Sequence, residues 1–517
     1  MSSSLKSAIL TVLFSKISIL GVSILFTPIL VRLLGPAQYG QYAIILSVFA
    51  IAAIFMMAGT TEAVRKYVSE KEDEEWQVAI IKKIFPTSIL LSFVFAFGFV
   101  LVAWSGLGAQ LFGESFTLLF YLLGGYAIGR QLRVHILFTL MGLQLESRSE
   151  PLRFVQKVVF VTLALTLVYF GFGVAGVLIA DILTSVMTIL IGSFFILRHL
   201  PLRSFFSVSA IDVPTTQIRS YVVSTVFFYL FLMSLYQVDV LLLQIWETDQ
   251  TVGYYKGALV IAEILWVAPI AVQFALLQRV SQLWETGDIQ TIESRSQTVT
   301  HFVFLLTSLM ALGVAVLAFD IVPFYLGDSF TPAVVPLLIL LPGVLGFAMA
   351  RPSLAINQAR RSLRPLVIAT GGSSLINLLL NILLIPLYGM VGAALATSIG
   401  YGSLVIFQSA VAREMGYRPL GGIRWVPTLS SVFLTAAILV PLTIVIQSSI
   451  IAMIVVPPVG GLVFTVGVFI TGAVSFEELQ SLIENVSVLP NEVEKGLLYT
   501  AKRFTDLNNY DTKSSAK

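Results

Sequence analysis

From Ala8 to Val31 the only charged residue is Lys16, and from Tyr42 to Thr61 there is none. About 20 apolar residues are enough to cross a bilayer as a helix, so each run is long enough to span. The eleven residues between them, Arg32-Leu33-Leu34-Gly35-Pro36-Ala37-Gln38-Tyr39-Gly40-Gln41-Tyr42, then read as the turn of a membrane hairpin. Gly35 tolerates positive φ, and Pro36 fixes its own φ without needing a backbone donor, which suits a tight reversal. The first run is too long for a signal-peptide core, carries Lys16 inside it and has no small-residue cleavage pattern after it, so it is expected to remain as a span.

The rest of the chain repeats this pattern. Of its 517 residues 57% are hydrophobic and 11% charged, with a mean hydropathy of +0.93; soluble domains carry roughly 25% charged residues. The expected class is therefore all-α and polytopic, with no separate soluble domain. Apolar runs and breakers place spans near 8–31, 41–62, 84–104, 117–137, 152–171, 174–197, 219–243, 253–277, 298–321, 331–350, 365–386, 390–412, 425–445 and 449–473, about fourteen transmembrane helices. Lys and Arg are retained on the cytoplasmic side of membrane proteins. With the N-terminus inside, only Lys16, Arg32 and Lys256 of the 31 Lys and Arg fall elsewhere than in inner segments. A single missed span would invert that bias downstream, so both termini are expected in the cytoplasm of a cell-membrane protein.

Two landmarks recur at nearly one period. Tyr39-Gly40-Gln41-Tyr42-Ala43 returns as Val252-Gly253-Tyr254-Tyr255-Lys256-Gly257-Ala258, and Gly173-Val174-Ala175-Gly176 returns as Gly389-Met390-Val391-Gly392. An even number of spans, six, separates the copies, so they share orientation, as parallel transporter repeats do. The expected organisation is an N-terminal six-helix lobe over 1–200, a cytoplasmic linker over 201–218, a second six-helix lobe over 219–412, an extra helix pair over 413–473 and a cytoplasmic tail over 474–517. Two polar segments, 69–85 with Trp76, Ile80 and Ile84 at helical spacing and the tail opened by the capping box Ser475-Phe476-Glu477-Glu478, are expected along the inner membrane surface. After Phe504 the tail is polar and expected to be disordered.

No phosphate-binding Gly-Lys dipeptide occurs, so direct ATP hydrolysis is not expected. The three histidines are scattered, there is no cysteine, and neither a metal nor a cofactor is indicated. Outward connections are too short for the catalytic carboxylates of an embedded polymerase or glycosyltransferase, so the chain is not expected to be an enzyme. What remains is ionisable side chains inside spans, which are costly in lipid and usually face a cavity. Lys16, Ser23 and Thr27 fall within about 20° of one another on a helical wheel and make one polar stripe. Arg130, Arg133, Arg219 and Arg351 lie toward inner span ends, where the positive-inside bias or an inward-opening cavity accounts for them. Glu263, Asp239 and Asp181 are candidates for ion coupling; for Asp239 a pair with Lys256 across the outer hairpin is the alternative.

The first hairpin, through Gly35, Pro36, Gly40 and Tyr42, resembles the corresponding turn of polysaccharide-type flippases in the multidrug/oligosaccharidyl-lipid/polysaccharide exporter superfamily. Asp239-Val240-Leu241-Leu242-Leu243 followed by Val252-Gly253-Tyr254-Tyr255 is similar to it as well. The resemblance implies two six-helix lobes around a central cavity that opens alternately to either side. It also implies a cargo of lipid-linked oligosaccharide on polyprenyl phosphate or diphosphate, moved outward for surface polysaccharide or glycoprotein synthesis. Implied partners are membrane lipid and glycan-assembly enzymes, with no nucleic acid, and a monomer. The alternative within the superfamily is a multidrug or organic-cation antiporter. Related flippases carry cavity cations on the first, second and eighth spans, whereas this chain offers Lys16 on the first and Glu263 on the eighth.

Overall fold

The computed structural model describes residues 3–206, 213–359, 364–475 and Glu478, and among them every regular element is helical. The long helices are α1 (Ser3–Ala53), α2 (Gly59–Val68), α3 (Glu74–Trp104), α4 (Phe116–Gly142), α5 (Glu146–Leu167), α6 (Gly173–His199), α7 (Thr215–Trp246), α8 (Asp249–Ile264), α9 (Val267–Thr286), α10 (Ile289–Val316), α11 (Val334–Gln358), α12 (Arg364–Glu414), α13 (Trp425–Val445) and α14 (Ser449–Ile470). Every one of the fourteen expected spans falls on helix, and the span expected at 425–445 coincides with α13. Nine helices among the described residues are long and apolar enough to cross a membrane. Two of these, Glu146–His199 and Arg364–Glu414, each contain two expected spans, and Ser18–Met57 covers the larger part of the first two. The expected eighth span is split into α8 and α9, and the fourth, α4, carries Arg130, Gln131, Arg133 and His135 along its length.

Glycines set the joints of these long helical runs. Within α1 the helix breaks at Gly35, with φ 68° and ψ 173°, and Pro36 opens the next segment, where its missing N–H costs nothing. The second repeated landmark has the same backbone in both copies: Gly173 adopts φ 52°, ψ −137°, and Gly389 adopts φ 55°, ψ −133°. That conformation is nearly closed to residues bearing a Cβ, which accounts for a glycine at both places.

The chain forms two compact units. The first comprises Met1–Val260, Tyr325–Leu340 and Ser362–Ser403. Within it the first landmark pair meets itself. A Cβ on Gly40 would run into the carbonyl of Asp249, and one on Gly253 into the carbonyl of Pro36. Each glycine thus lies against the residue four positions before the other, a reciprocal contact of the kind a two-fold axis between repeats creates. Gln41 reinforces it by donating from Nε2 to Asp249 Oδ2 at 2.9 Å.

The charged segment 69–85 does not lie along the membrane surface as a separate helix. Its second half opens α3, capped by Asp73, whose carboxylate accepts the Trp76 N–H at 2.9 Å. Trp76, Ile80 and Ile84 are buried against Tyr67, Ile136, Leu140, Leu152 and Ile196. The indole donates to the Tyr67 carbonyl at 2.8 Å, so the ring is buried with its polar atom satisfied. Burying a large apolar side chain is worth about 1.5–3 kcal/mol, more than a solvated face returns, and core packing therefore claims this stripe.

The second unit comprises Ile261–Phe324, Leu341–Arg361 and Leu404–Lys517. At its start Trp266, between α8 and α9, donates its indole N–H to the Val344 carbonyl at 3.1 Å and stacks on Phe347 with ring centroids 4.5 Å apart. The terminal pair α13 and α14 packs on α10 through Leu305 with Phe464 and Val468, and Leu317 packs against Leu439, Ala452 and Val456. The expected capping box is formed in both directions: Ser475 N–H reaches Glu478 Oε2 at 2.8 Å, and Glu478 N–H reaches Ser475 Oγ at 3.3 Å. The rest of the tail, from 479, and residues 207–212 of the expected linker lie outside the described residues.

Candidate functional site

In the first unit α1, α4, α5 and α6 surround a cavity of about 600 Å3. Helical spacing explains which side chains reach it. On α4, Tyr126, Arg130, Arg133 and Leu137 follow one another at steps of four, three and four; on α5, Arg153, Gln156, Lys157 and Phe160 do so at three, one and three. From α1 come Thr27, Tyr39 and Tyr42, and from α6 comes Asp181. Four cations and one carboxylate therefore line a chamber otherwise walled, apart from Thr27 and Gln156, by Ile, Leu, Val and aromatic side chains.

The charges are arranged unequally. Arg133, only 3% exposed, donates to Asp181 Oδ1 at 3.0 Å; Arg130, 40% exposed, stands 3.9 Å from the same oxygen. Arg130 also lies over the Tyr126 ring at 5.8 Å, and Tyr126 is held edge-on by Phe49 at 4.7 Å. Arg153 is 3.9 Å from Glu150 Oε1. Lys157 rests its ammonium 5.2 Å from the centre of the Phe26 ring and 5.7 Å from that of Phe160. Such cation–aromatic contacts hold a charge in an apolar wall while leaving it available to an anion. Among the described ion pairs Lys157 has no carboxylate partner, and Arg130 shares Asp181 with the closer Arg133.

The expected site residues separate into those gathered here and those placed elsewhere. Thr27, Arg133, Asp181 and Tyr42 line the cavity. Lys16 lies on α1, with its side chain outside the described ones. Ser23 turns its hydroxyl back to the Ile19 carbonyl at 2.8 Å, and Thr27 does the same to Ser23 at 2.9 Å, so both satisfy their own helix. Arg219 is exposed near the start of α7 and is not among the lining residues. Arg351 belongs to the second unit, buried with Nη1 3.0 Å from Gln273 Oε1 and its guanidinium 4.6 Å from the Phe347 ring. Glu263 stands just before the break after α8, its carbonyl accepting the Trp266 N–H at 3.0 Å.

Asp239 occupies a second polar centre of the first unit. Fully buried, its carboxylate accepts from the Tyr255 hydroxyl, from Thr397 Oγ1 at 3.1 Å and from the Val240 N–H at 2.8 Å. Asn377 donates to Thr397 at 3.3 Å, while the buried side-chain oxygens of Asn377 and Asn381 have no hydrogen-bond partner among the described residues. Among the described residues no cation forms an ion pair with Asp239, so hydroxyl donors take the place of the alternative pair with Lys256. Tyr255, expected as a hairpin residue, is part of this centre.

Sequence reasoning misses Arg153, Gln156 and Lys157 as site residues, although their spacing carries the signal. Charges three or four apart inside one span share a face, and two such faces, on neighbouring spans, are more than a positive-inside bias requires.

Comparisons with known proteins agree with this architecture. Residues 4–277 match the family model described as "Polysaccharide biosynthesis protein". The chain is 26% identical over 415 residues to the probable low-salt glycan biosynthesis flippase Agl15 of Haloferax volcanii, an alignment covering 77% of this chain and 80% of that relative. The fold matches the lipid II flippase MurJ in an inward closed conformation with a TM-score of 0.70 at 14% identity, over 89% of this chain and 97% of that one. It matches an inward-facing multidrug resistance MATE family transporter of the MOP superfamily with a TM-score of 0.63 at 15% identity, over 76% and 93%. A MOP superfamily transporter from Pyrococcus furiosus, described as having a binding pocket of reverse polarity that suggests a different function, matches with a TM-score of 0.57 at 13% identity, over 79% and 95%.

Proposed function

Since this chain belongs to the polysaccharide biosynthesis protein family, we propose that it is a flippase carrying a lipid-linked oligosaccharide from the cytoplasmic to the outer leaflet by alternating access of two six-helix lobes. The observation that carries this is the sign of the cavity: four cations and one acid in an apolar chamber between membrane helices. A polyprenyl phosphate or diphosphate head is anionic, and guanidinium groups in a low-dielectric wall bind such groups through charge-assisted, often paired hydrogen bonds. The glycan occupies the wet part of the cavity beside Tyr39, Tyr42 and Tyr126, and the polyprenyl tail stays in the bilayer. Lys16, within about 20° of Thr27 on a helical wheel, is the proposed inward extension of the cationic path.

Asp239 is the proposed coupling group. A fully buried carboxylate held by two hydroxyls and a backbone N–H, with no ion pair among the described residues, accepts a proton or a small hard cation more readily than a bulky organic one. Glu263 and Asp181 are secondary candidates. The glycan made available on the outer face then serves surface polysaccharide or glycoprotein synthesis at the cell membrane, with both termini in the cytoplasm and with glycan-assembly enzymes as partners.

The test is leaflet transfer of a fluorescent lipid-linked oligosaccharide in vesicles containing the purified protein. Wild type moves the lipid, Arg130→Gln and Lys157→Gln slow it at least tenfold, and Lys16→Ala reports on the inward path. An organic-cation antiporter, the alternative in the superfamily, instead exchanges a cationic dye for protons or sodium and leaves the glycolipid where it was.

A further inference from the structure

The carboxylate of Asp181 is badly served for a charged group in a membrane protein. One oxygen is shared by Arg133 and Arg130 at 3.0 and 3.9 Å, while Oδ2 is buried and has no hydrogen-bond partner among the described residues. An ionised carboxylate accepts at about four lone-pair sites, and a buried charge left half satisfied is costly. A group placed to strengthen the fold would be expected to have its second oxygen bonded. The side chain instead sits at the wall of the cationic cavity, between the two arginines a bound anion would use.

We infer that Asp181 is the resident counter-anion of the cavity, which the anionic head group of the cargo displaces from Arg133 and Arg130. This rests on the flippase reading and deepens it by assigning how affinity is limited. In the empty cavity Asp181 neutralises part of a charge that would otherwise stand uncompensated in a low-dielectric chamber. When a phosphate group arrives, its several oxygens offer the two guanidinium groups paired hydrogen bonds that a single shared carboxylate oxygen does not. Binding is offset by the Asp181 contacts that are lost, so the cargo is held more weakly than four cations alone would hold it. On the far side Asp181 returns to the arginines and helps expel the head group. The other charged and titratable groups facing this exchange are Arg153, Lys157, Tyr39, Tyr42 and Tyr126, all on the cavity wall.

The experiment uses the full chain in detergent with farnesyl diphosphate as the probe, followed by glycolipid transfer in vesicles. Asp181→Asn is expected to bind the probe about tenfold more tightly than wild type, a difference of about 1.4 kcal/mol, while transferring glycolipid more slowly. A merely structural residue would lower both. Equal or weaker binding by Asp181→Asn with an unchanged melting midpoint overturns the assignment of Asp181 and leaves the flippase reading intact. Absence of probe binding in every variant, wild type included, overturns both. Should Asp181→Asn not fold, the double variant Asp181→Asn/Arg133→Gln is compared with Arg133→Gln, in which Asp181 still holds Arg130. The double variant must then bind more tightly, and failure to do so overturns the inference.

Discussion

The reciprocal contact of Gly40 and Gly253 makes a sharp prediction. A methyl group on Gly40 collides with the Asp249 carbonyl and lies 2.9 Å from the Gly253 nitrogen; one on Gly253 collides with the Pro36 carbonyl and lies 3.2 Å from the Gly40 nitrogen. All of these are backbone atoms, so no rotamer change relieves the clash and the two helices have to move apart. Overpacking of this kind costs about 1–3 kcal/mol. Gly40→Ala and Gly253→Ala are each expected to destabilise by that amount. Gly98→Ala, with nothing within 4 Å of the added carbon, serves as a neutral control. Because both methyl groups enter one interface, the second finds the helices already separated, and the double variant should cost clearly less than the two singles together. Thermal unfolding of the four purified variants in one detergent supplies the cycle. Strict additivity, or a neutral single substitution, would refute the shared two-fold contact.

Other substitutions separate the roles of the charged groups. Arg133→Gln removes the 3.0 Å hydrogen bond to buried Asp181 and leaves it the more distant Arg130, so it is expected to cost about 1.5–3 kcal/mol in stability, whereas Arg130→Gln, at a half-exposed site, should keep the melting midpoint and lose glycolipid transfer. Asp239→Asn keeps a hydrogen-bond acceptor of similar shape beside Tyr255 and Thr397, so it should fold while transfer loses its dependence on a proton or sodium gradient, measured in vesicles with the gradient reversed. Gly389→Ala places a Cβ where φ is 55° and ψ −133°, and is expected to destabilise by about 1–3 kcal/mol in the same unfolding assay.

What the sequence alone determined here are the properties carried by neighbours along the chain. Apolar length defined the spans, so 425–445 coincides with helix Trp425–Val445; glycine and proline marked the joints, down to matching backbone angles at Gly173 and Gly389; and Ser475 with Glu478 closed the capping box. Each is a local requirement of hydrogen bonding or backbone sterics, readable without knowing what lies opposite. Opposing surfaces decided the rest. The apolar stripe of Trp76, Ile80 and Ile84 looks the same in sequence whether it meets lipid or protein, and only the helices packed on it made it core. Charge toward a span end is equally ambiguous: Arg219 is exposed, Arg351 is buried beside Gln273, and Arg130, Arg133, Arg153 and Lys157 line one chamber. Which of these meet depends on the rotation and crossing of helices far apart in the chain, where packing over many weak contacts, rather than any local signal, chooses the arrangement.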